Sequence, residues 1–263
     1  MFNKLEKYAN KSIYIEPFVG SGSIYINTKN KYNKYVINDI NPYVCLIWQT
    51  FKNIEYEKIN FYKNNIFLKF GNIKEDKKAY YDFRDFYNNE KHEDDAKGIY
   101  TYLLMNSCIN SMFRIGPNGM NQSYGNRLYV LNENSFNHIK EKLSNTEIIN
   151  KDYYEILIDK ENLIYYIDPP YYMTPSPGYL KIFDINEHKK LINILKNFKK
   201  SKYIYSDVLT EFNNELHYKL EIGKFPNISP NRKNNSLERT EYLFSNINFS
   251  DIDFSKNSSY KLF

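Results

Sequence analysis

The segment that most constrains this chain is Tyr165-Tyr166-Ile167-Asp168-Pro169-Pro170-Tyr171-Tyr172, an apolar, aromatic strand halted by an acid, two prolines and further rings. Proline fixes φ and has no backbone N–H, so a buried strand cannot run through the pair. The ending has two readings. In the first, Pro169-Pro170 stops the strand and Asp168 caps the next turn. In the second, Asp168 accepts a hydrogen bond from an exocyclic amine, a rigidly held proline carbonyl accepts another, and Tyr171 stacks on the attached planar ring.

Upstream, Ile13-Tyr14-Ile15-Glu16 reads as a short strand entering Pro17-Phe18-Val19-Gly20-Ser21-Gly22, with a helix opening at about Ser23. Gly20 and Gly22 are expected to let a ligand approach backbone that a Cβ would screen. The helix start would offer free N–H groups to a carboxylate. A second strand, Val36-Ile37-Asn38, ends in Asp39, about 20 residues past the glycine turn, where a βαβ unit sets an acid against a ribose diol. Asn38-Asp39 also fits the opening of the Asn41-Pro42 turn and the cap of the helix holding Leu46-Ile47-Trp48. Strand, glycine turn, helix, strand and acid nevertheless occur in the order that a nucleotide site requires.

Together, Glu16-Pro17-Phe18-Val19-Gly20-Ser21-Gly22-Ser23, Asn38-Asp39 and Asp168-Pro169-Pro170-Tyr171 resemble the motifs of the Dam-type (D12 class, alpha group) adenine-N6 DNA methyltransferases. The likeness continues through Tyr80 to Asn88, Asn106 to Arg114, Gly119 to Gly125, Asn150-Lys151-Asp152-Tyr153 and Arg239 to Asn246, in order along the chain. It implies S-adenosyl-L-methionine as cofactor and double-stranded DNA as substrate. It further implies that Asp168, Pro169, Pro170 and Tyr171 hold an adenine flipped from the duplex at a cost of a few kcal/mol. Around the cofactor it implies Glu16, Pro17, Phe18, Gly20 and Gly22 at the methionine and sulfonium, Asp39 at the ribose, Asp152 with Tyr153 at the adenine, and Asp168 facing both reactants. Glu16 either meets the cofactor's ammonium or only braces the loop. Transfer would be direct and in line, with positioning worth up to roughly 7–11 kcal/mol. No metal is expected, because the thioether leaves as a neutral group.

The chain also departs from the family. Members carry a Gly-Gly-Lys segment upstream of the glycine turn, whereas residues 1–15 contain no glycine. Another stretch or a protein partner then supplies those cofactor contacts, or cofactor binding is weakened. Ser111 stands where glycine is usual, and Asp207 follows Ser206 where asparagine is frequent. Two further functions stay open on this basis: a methyltransferase-fold DNA-binding protein with impaired catalysis, and an amino-methyltransferase acting on RNA or on cytosine N4.

The formal charge of +5, with 36 basic against 31 acidic residues, is compatible with an anionic partner without demanding one. The 27 tyrosines could serve as stacking platforms, but Lys, Asn, Ile and Tyr all have AT-rich codons and crowd the whole sequence. Cys45 and Cys108 form no C-x-x-C pair, so neither a zinc site nor a disulfide framework is expected. Apolar runs fall well short of the ~20 residues of a membrane span, and no export leader is visible, which leaves a cytoplasmic setting as the expectation.

The expected fold is α/β: a Rossmann-like mixed sheet with helices on both faces, plus a helical inserted DNA-recognition subdomain. Residues 1–52 and 146–263 would form the S-adenosylmethionine-binding catalytic domain, and 53–145 the target-recognition insertion. Strands are expected near 12–17, 35–38, 146–149, 163–168, 202–206, 217–223 and 240–247. Helices are expected over 22–28, 42–52, 76–88, 94–110, 133–143 and 186–198, the last capped by Asp184 or Asn186. In the insertion, scattered lysines such as Lys58, Lys63 and Lys69 read as a solvated face. Arg84, Asn88, Asn110, Arg114, Asn121, Ser123 and Arg127 are the DNA-contact candidates, because Arg and Asn read base edges bidentately. Ser107, Asn110 and Arg114 would share one helix face, followed by a turn at Pro117-Asn118-Gly119. A polar network bracing the insertion is the competing account of the same residues.

Overall fold

The computed structural model describes residues 9, 11–28, 32–109, 114–171, 183–226 and 238–249. The strands are β1 (Ile13–Glu16), β2 (Lys34–Asn38), β3 (Ile115–Gly116), β4 (Gly119–Met120), β5 (Thr146–Ile149), β6 (Leu163–Ile167), β7 (Lys202–Val208), β8 (Tyr218–Pro226) and β9 (Glu238–Ser245). Seven of them form one sheet in the order β5-β2-β1-β6-β7-β9-β8, and β3 with β4 forms a separate hairpin. The five strands from β5 to β7 are mutually parallel, while β9 runs antiparallel to both β7 and β8. This is the mixed Rossmann-like α/β sheet expected from the motifs.

Strand alternation divides the interior into two layers. In β6, Leu163, Tyr165 and Ile167 join one apolar cluster while Ile164 and Tyr166 join the other. The first layer is closed by Tyr153, Leu157 and the helix Ile185–Lys196, whose Leu191 and Leu195 are fully buried. The second is closed by the helices Ser23–Asn27, Pro42–Asn53 and Glu133–Leu143 together with the inserted segment. Trp48, Phe51 and Phe136 are fully buried there, each contributing about 1.5–3 kcal/mol through lost water contact.

The chain leaves the sheet after Pro42–Asn53 and returns at β5, and the helices between are Tyr56–Phe70, Lys77–Asn89, Asp94–Ser107 and Glu133–Leu143. Among the described residues of this segment, none pairs with the main sheet. It shares one continuous core with the sheet face: the Phe51 and Tyr102 rings lie 5.0 Å apart, and Ile59, Tyr80 and Phe83 are fully buried in the same cluster. The helix Tyr56–Phe70 is absent from the expected set. Its buried Ile59 and Ile66 mark one helical face, and Lys58 and Lys69 lie exposed on the other. Reading the lysines as scattered surface charge concealed that period.

A second difference concerns the helix expected over 94–110. It stops at Ser107, and Cys108 is extended, bridged antiparallel to Tyr124. The Ile109 N–H donates to the Ser123 carbonyl at 3.1 Å and the Gly125 N–H to the Ser107 carbonyl at 2.9 Å, so strand-like pairing captures the chain where the helix would have continued. Ser107 and Arg114 therefore share no helix face. Asn110 and Ser111 lie outside the described residues, as do the N-terminal residues 1–8, Tyr172 and the tail beyond Phe249. The caps follow local chemistry: Asn41 accepts from the Tyr43 N–H ahead of Pro42, and Asp184 accepts from the Asn186 and Glu187 N–H groups. Among the described residues, no helix is long and apolar enough to cross a membrane.

Candidate active site

The strand order reverses at β1 and β6, which are parallel neighbours, so the loops leaving their C-terminal ends must share one edge of the sheet. A cavity of about 420 Å³ opens there. It is bounded by Glu16 to Ser21 after β1, Asp39 and Ile40 after β2, Lys151 to Tyr153 after β5, Asp168 to Tyr171 after β6, and Phe183.

Asn38, 1% exposed, holds three of these loops in register. Its amide donates to the carbonyls of Pro17 at 2.9 Å and Lys151 at 3.0 Å, and its oxygen accepts from the Lys151 N–H at 2.9 Å. Next to it, Asp39 accepts from the Gly20 N–H and the Asn41 N–H, both at 2.9 Å. The Gly20 carbonyl in turn accepts from Trp48 Nε1 at 3.1 Å, so Gly20 is held through both its N–H and its carbonyl. Asp39 thus opens the Asn41-Pro42 turn, one of its two expected roles, and still faces the cavity.

The two glycines do different work. Gly20 has φ +46°, and a Cβ there would meet nothing within 4 Å, which leaves its backbone open to the cavity. Gly22, at φ +66°, does not line the cavity: a Cβ there would lie 2.4 Å from the Trp48 ring. Of the two glycines expected to admit a ligand, Gly20 lines the cavity, whereas Gly22 lies away from it and is required by a close ring contact on the inner side.

Four carboxyl groups, Glu16, Asp39, Asp152 and Asp168, face the cavity, against one ammonium among its described lining residues, Lys151. Glu16 is 3% exposed, and burial pushes its carboxyl up to about 8, with the nearby Asp168 charge adding to the rise and the Tyr14 hydroxyl, which donates to it, opposing it. Burial lifts Asp39 to about 6 against the lowering effect of its two N–H donors. Desolvation outweighs hydrogen bonding at both, and at Glu16 it also outweighs the lowering pull of the Lys142 ammonium.

The rings of Phe18, Tyr153 and Phe183 pack against one another with centroids 5.2 to 5.6 Å apart and form an apolar wall of the cavity. The Tyr153 hydroxyl donates to Glu187 at 2.8 Å. At the rim, Asp168 is exposed, Pro169 is buried, and the half-buried Tyr171 reaches Ser206 Oγ with its hydroxyl at 3.2 Å. Sequence reasoning missed Phe183, Ile40 and the floor residue Tyr166; only Tyr166 carried a signal, as the alternate position of a strand ending at the cavity.

The inserted candidates are arranged differently. Arg84 donates to the Gln122 carbonyl at 3.2 Å, pairs with Asp85 and lies over the Tyr81 ring. Asn88 clamps Met120 through both amide atoms, at 2.8 and 2.9 Å. Arg127 donates to the Cys108 carbonyl at 3.0 Å. Arg114, Asn121 and Ser123 are exposed around the β3–β4 hairpin.

Comparison with known proteins gives this geometry a family. The family described as D12 class N6 adenine-specific DNA methyltransferase matches residues 2–249. Type II methyltransferase M.MjaIII of Methanocaldococcus jannaschii is 30% identical over 177 residues, covering 63% of this chain and 60% of that protein. Type II methyltransferase M.CviBI of Paramecium bursaria Chlorella virus NC1A is 27% identical over 217 residues, covering 78% of this chain and 76% of its own length. The DNA adenine methylase of Escherichia coli K12 is 27% identical over 161 residues, covering 60% and 55%. The chain thus spans less than two thirds of the archaeal and E. coli proteins. With the family match running across nearly all of its length, this chain belongs to the D12 class of N6 adenine-specific DNA methyltransferases.

Proposed function

We propose that the chain transfers a methyl group from S-adenosylmethionine to N6 of an adenine extruded from duplex DNA. The observation that carries this reading is the single cavity bounded by both the glycine turn after β1 and the Asp168-Pro169-Pro170-Tyr171 loop after β6. Its volume lies in the range that encloses a cofactor-sized ligand. Its donor set also fits: an excess of carboxyl groups suits a ligand carrying sulfonium and ammonium charges, and the three-ring wall offers a purine an apolar face. When bound, S-adenosylmethionine supplies a methyl group already activated on sulfur.

In this reading the protein's contribution is placement. Gly20 presents bare backbone beside the methionine portion, and Asp39, fixed by two N–H donors, turns its remaining lone pairs to the ribose hydroxyls. Asp152 accepts from the cofactor's adenine amine, with Phe18, Tyr153 and Phe183 around its ring. Glu16 faces the cationic end. Tyr171 stacks on the extruded base, and Asp168 with the Pro169 carbonyl accepts hydrogen bonds from N6. Those acceptors direct the nitrogen lone pair out of ring conjugation toward the methyl group, and they stabilise the positive charge that N6 acquires as the bond forms. Flipping is required because a stacked, paired N6 cannot be approached in line.

Residues 53–145 serve as the target-recognition insertion and the remainder as the catalytic domain. Arg114, Asn121 and Ser123 are the side chains presented for DNA contact, and Arg84 and Arg127 support the surface that carries them. The names of the relatives, type II methyltransferases and the modification methylase LlaI of Lactococcus lactis, support a protective role alongside a restriction enzyme.

The test is product identity. Incubated with S-adenosylmethionine and unmethylated duplex DNA, the chain is expected to yield N6-methyladenine in nucleosides analysed by mass spectrometry. N4-methylcytosine, or methylated nucleosides from RNA alone, would replace the substrate assignment. No methylated nucleoside from either would overturn the activity.

A further inference from the structure

We propose that Ser206 is a positioning residue for the reaction, fixing the stacking ring of Tyr171 through a bridge to the cavity floor. The proposal rests on the reading of Tyr171 as the base-stacking residue. Ser206 lies on β7, directly beyond the Tyr205 that pairs with Ile167 at the end of β6, and is 2% exposed. It does not line the cavity. Its hydroxyl is 3.2 Å from the Tyr171 hydroxyl, and it also hydrogen-bonds the Tyr166 phenol.

Tyr166 is itself part of the cavity wall and stands close to Asp168, Tyr171 and Glu16. One buried hydroxyl therefore links a ring anchored in β6 to the ring beyond Pro169-Pro170. The geometry makes this link informative. Tyr171 is half-buried in the loop beyond Pro169-Pro170, and the far end of its ring reaches a rigid element. Strand β7 is that element. With the hydroxyl end fixed, the ring plane is set before a base arrives, and the N6 nitrogen is placed against Asp168 without a search over Tyr171 rotamers. Without the anchor the ring can still contact a base, but in several orientations. The expected deficit therefore falls on the transfer step and leaves substrate binding largely unchanged.

The experiment measures single-turnover methylation of unmethylated genomic DNA, with separate titrations for DNA and S-adenosylmethionine affinity. Ser206→Ala and Tyr171→Phe are each expected to slow transfer by roughly three- to tenfold, the range of one hydrogen bond, with both affinities within about twofold of the parent. The double variant is expected to be no slower than the slower single variant, because both remove the same bond. Ser206→Thr keeps the hydroxyl and is expected to restore most of the rate. Parental rate in Ser206→Ala, or independent and multiplicative losses in the double variant, would overturn the proposal while leaving the methyltransferase reading intact. A parent chain that neither binds the donor nor methylates DNA would overturn both.

Discussion

The cavity edge of the sheet and the helical insertion both hold concentrated polar side chains, yet they use them in opposite ways. At the cavity, backbone and Asn38 hold the loops together, which leaves carboxyl groups turned toward open space. In the insertion, Arg84, Asn88 and Arg127 are engaged with carbonyls of the chain itself. A site is thus marked less by the presence of Arg, Asn or Asp than by whether other groups have already fixed the local fold. The contrast can be tested by substitutions that separate function from stability.

The largest effect is expected at Asp168. Because its side chain is exposed and terminates a strand already fixed by its neighbours, Asp168→Ala should lower methyl transfer by roughly a hundred- to a thousandfold. Its melting temperature should stay within about 2 °C of the parent, a small shift for a surface substitution. A comparable loss of thermal stability would place Asp168 with the bracing residues instead.

The glycine turn gives the next contrast. Gly22→Ala forces a Cβ to 2.4 Å from Trp48 at a positive φ, and denaturant unfolding should show a loss of about 3 kcal/mol. Gly20→Ala meets no atom within 4 Å and carries only the backbone cost of about 1–2 kcal/mol, while obstructing the cavity. Weaker donor binding from Gly20→Ala at modest stability cost would separate the two; equal stability losses would merge them.

A pH profile sharpens the electrostatic side. Glu16 is raised by burial from 4.5 to about 8, so between those values the folded chain holds a proton that the unfolded chain has released. Stability should therefore fall as pH rises from about 4.5 toward 8, with Asp39 adding to the fall up to about 6. Glu16→Gln should remove on the order of 2 kcal/mol of this slope, measured by urea unfolding across the range. An unchanged slope would contradict the raised, buried carboxyl.

The smallest effects concern the insertion. Arg84→Ala should cost about 1–1.5 kcal/mol by leaving the Gln122 carbonyl without that donor. Arg114→Ala should change stability by less than about 0.5 kcal/mol and weaken DNA binding, with a reduced salt slope. If the two variants exchanged phenotypes, the division between bracing and presented residues would be wrong.

Much of the sheet half was legible because its information is local. The strands ending in Glu16, Asn38 and Ile167 combine apolar runs with abrupt glycine or proline stops, and parallel pairing of β1 with β6 brings their loops together. What escaped depends on distant partners. The reason for glycine at position 22 is a tryptophan on the helix Pro42–Asn53, and Phe183 joins the ring wall from beyond the Asp168 loop. The helix Tyr56–Phe70 was hidden by its lysines, and the early end of Asp94–Ser107 by pairing of Cys108 with Tyr124. Periodicity cannot register a strand-like competitor that arrives sixteen residues later.

Calorimetric titration of S-adenosylmethionine into the chain tests the central claim most directly, because the cavity between the two loops must hold the donor before any base is methylated. Saturable one-site binding is expected, weakened by at least about tenfold in Asp39→Ala, which removes the carboxylate oriented by Gly20 and Asn41. No saturable heat with or without duplex DNA, or equal affinity in Asp39→Ala, would contradict the account.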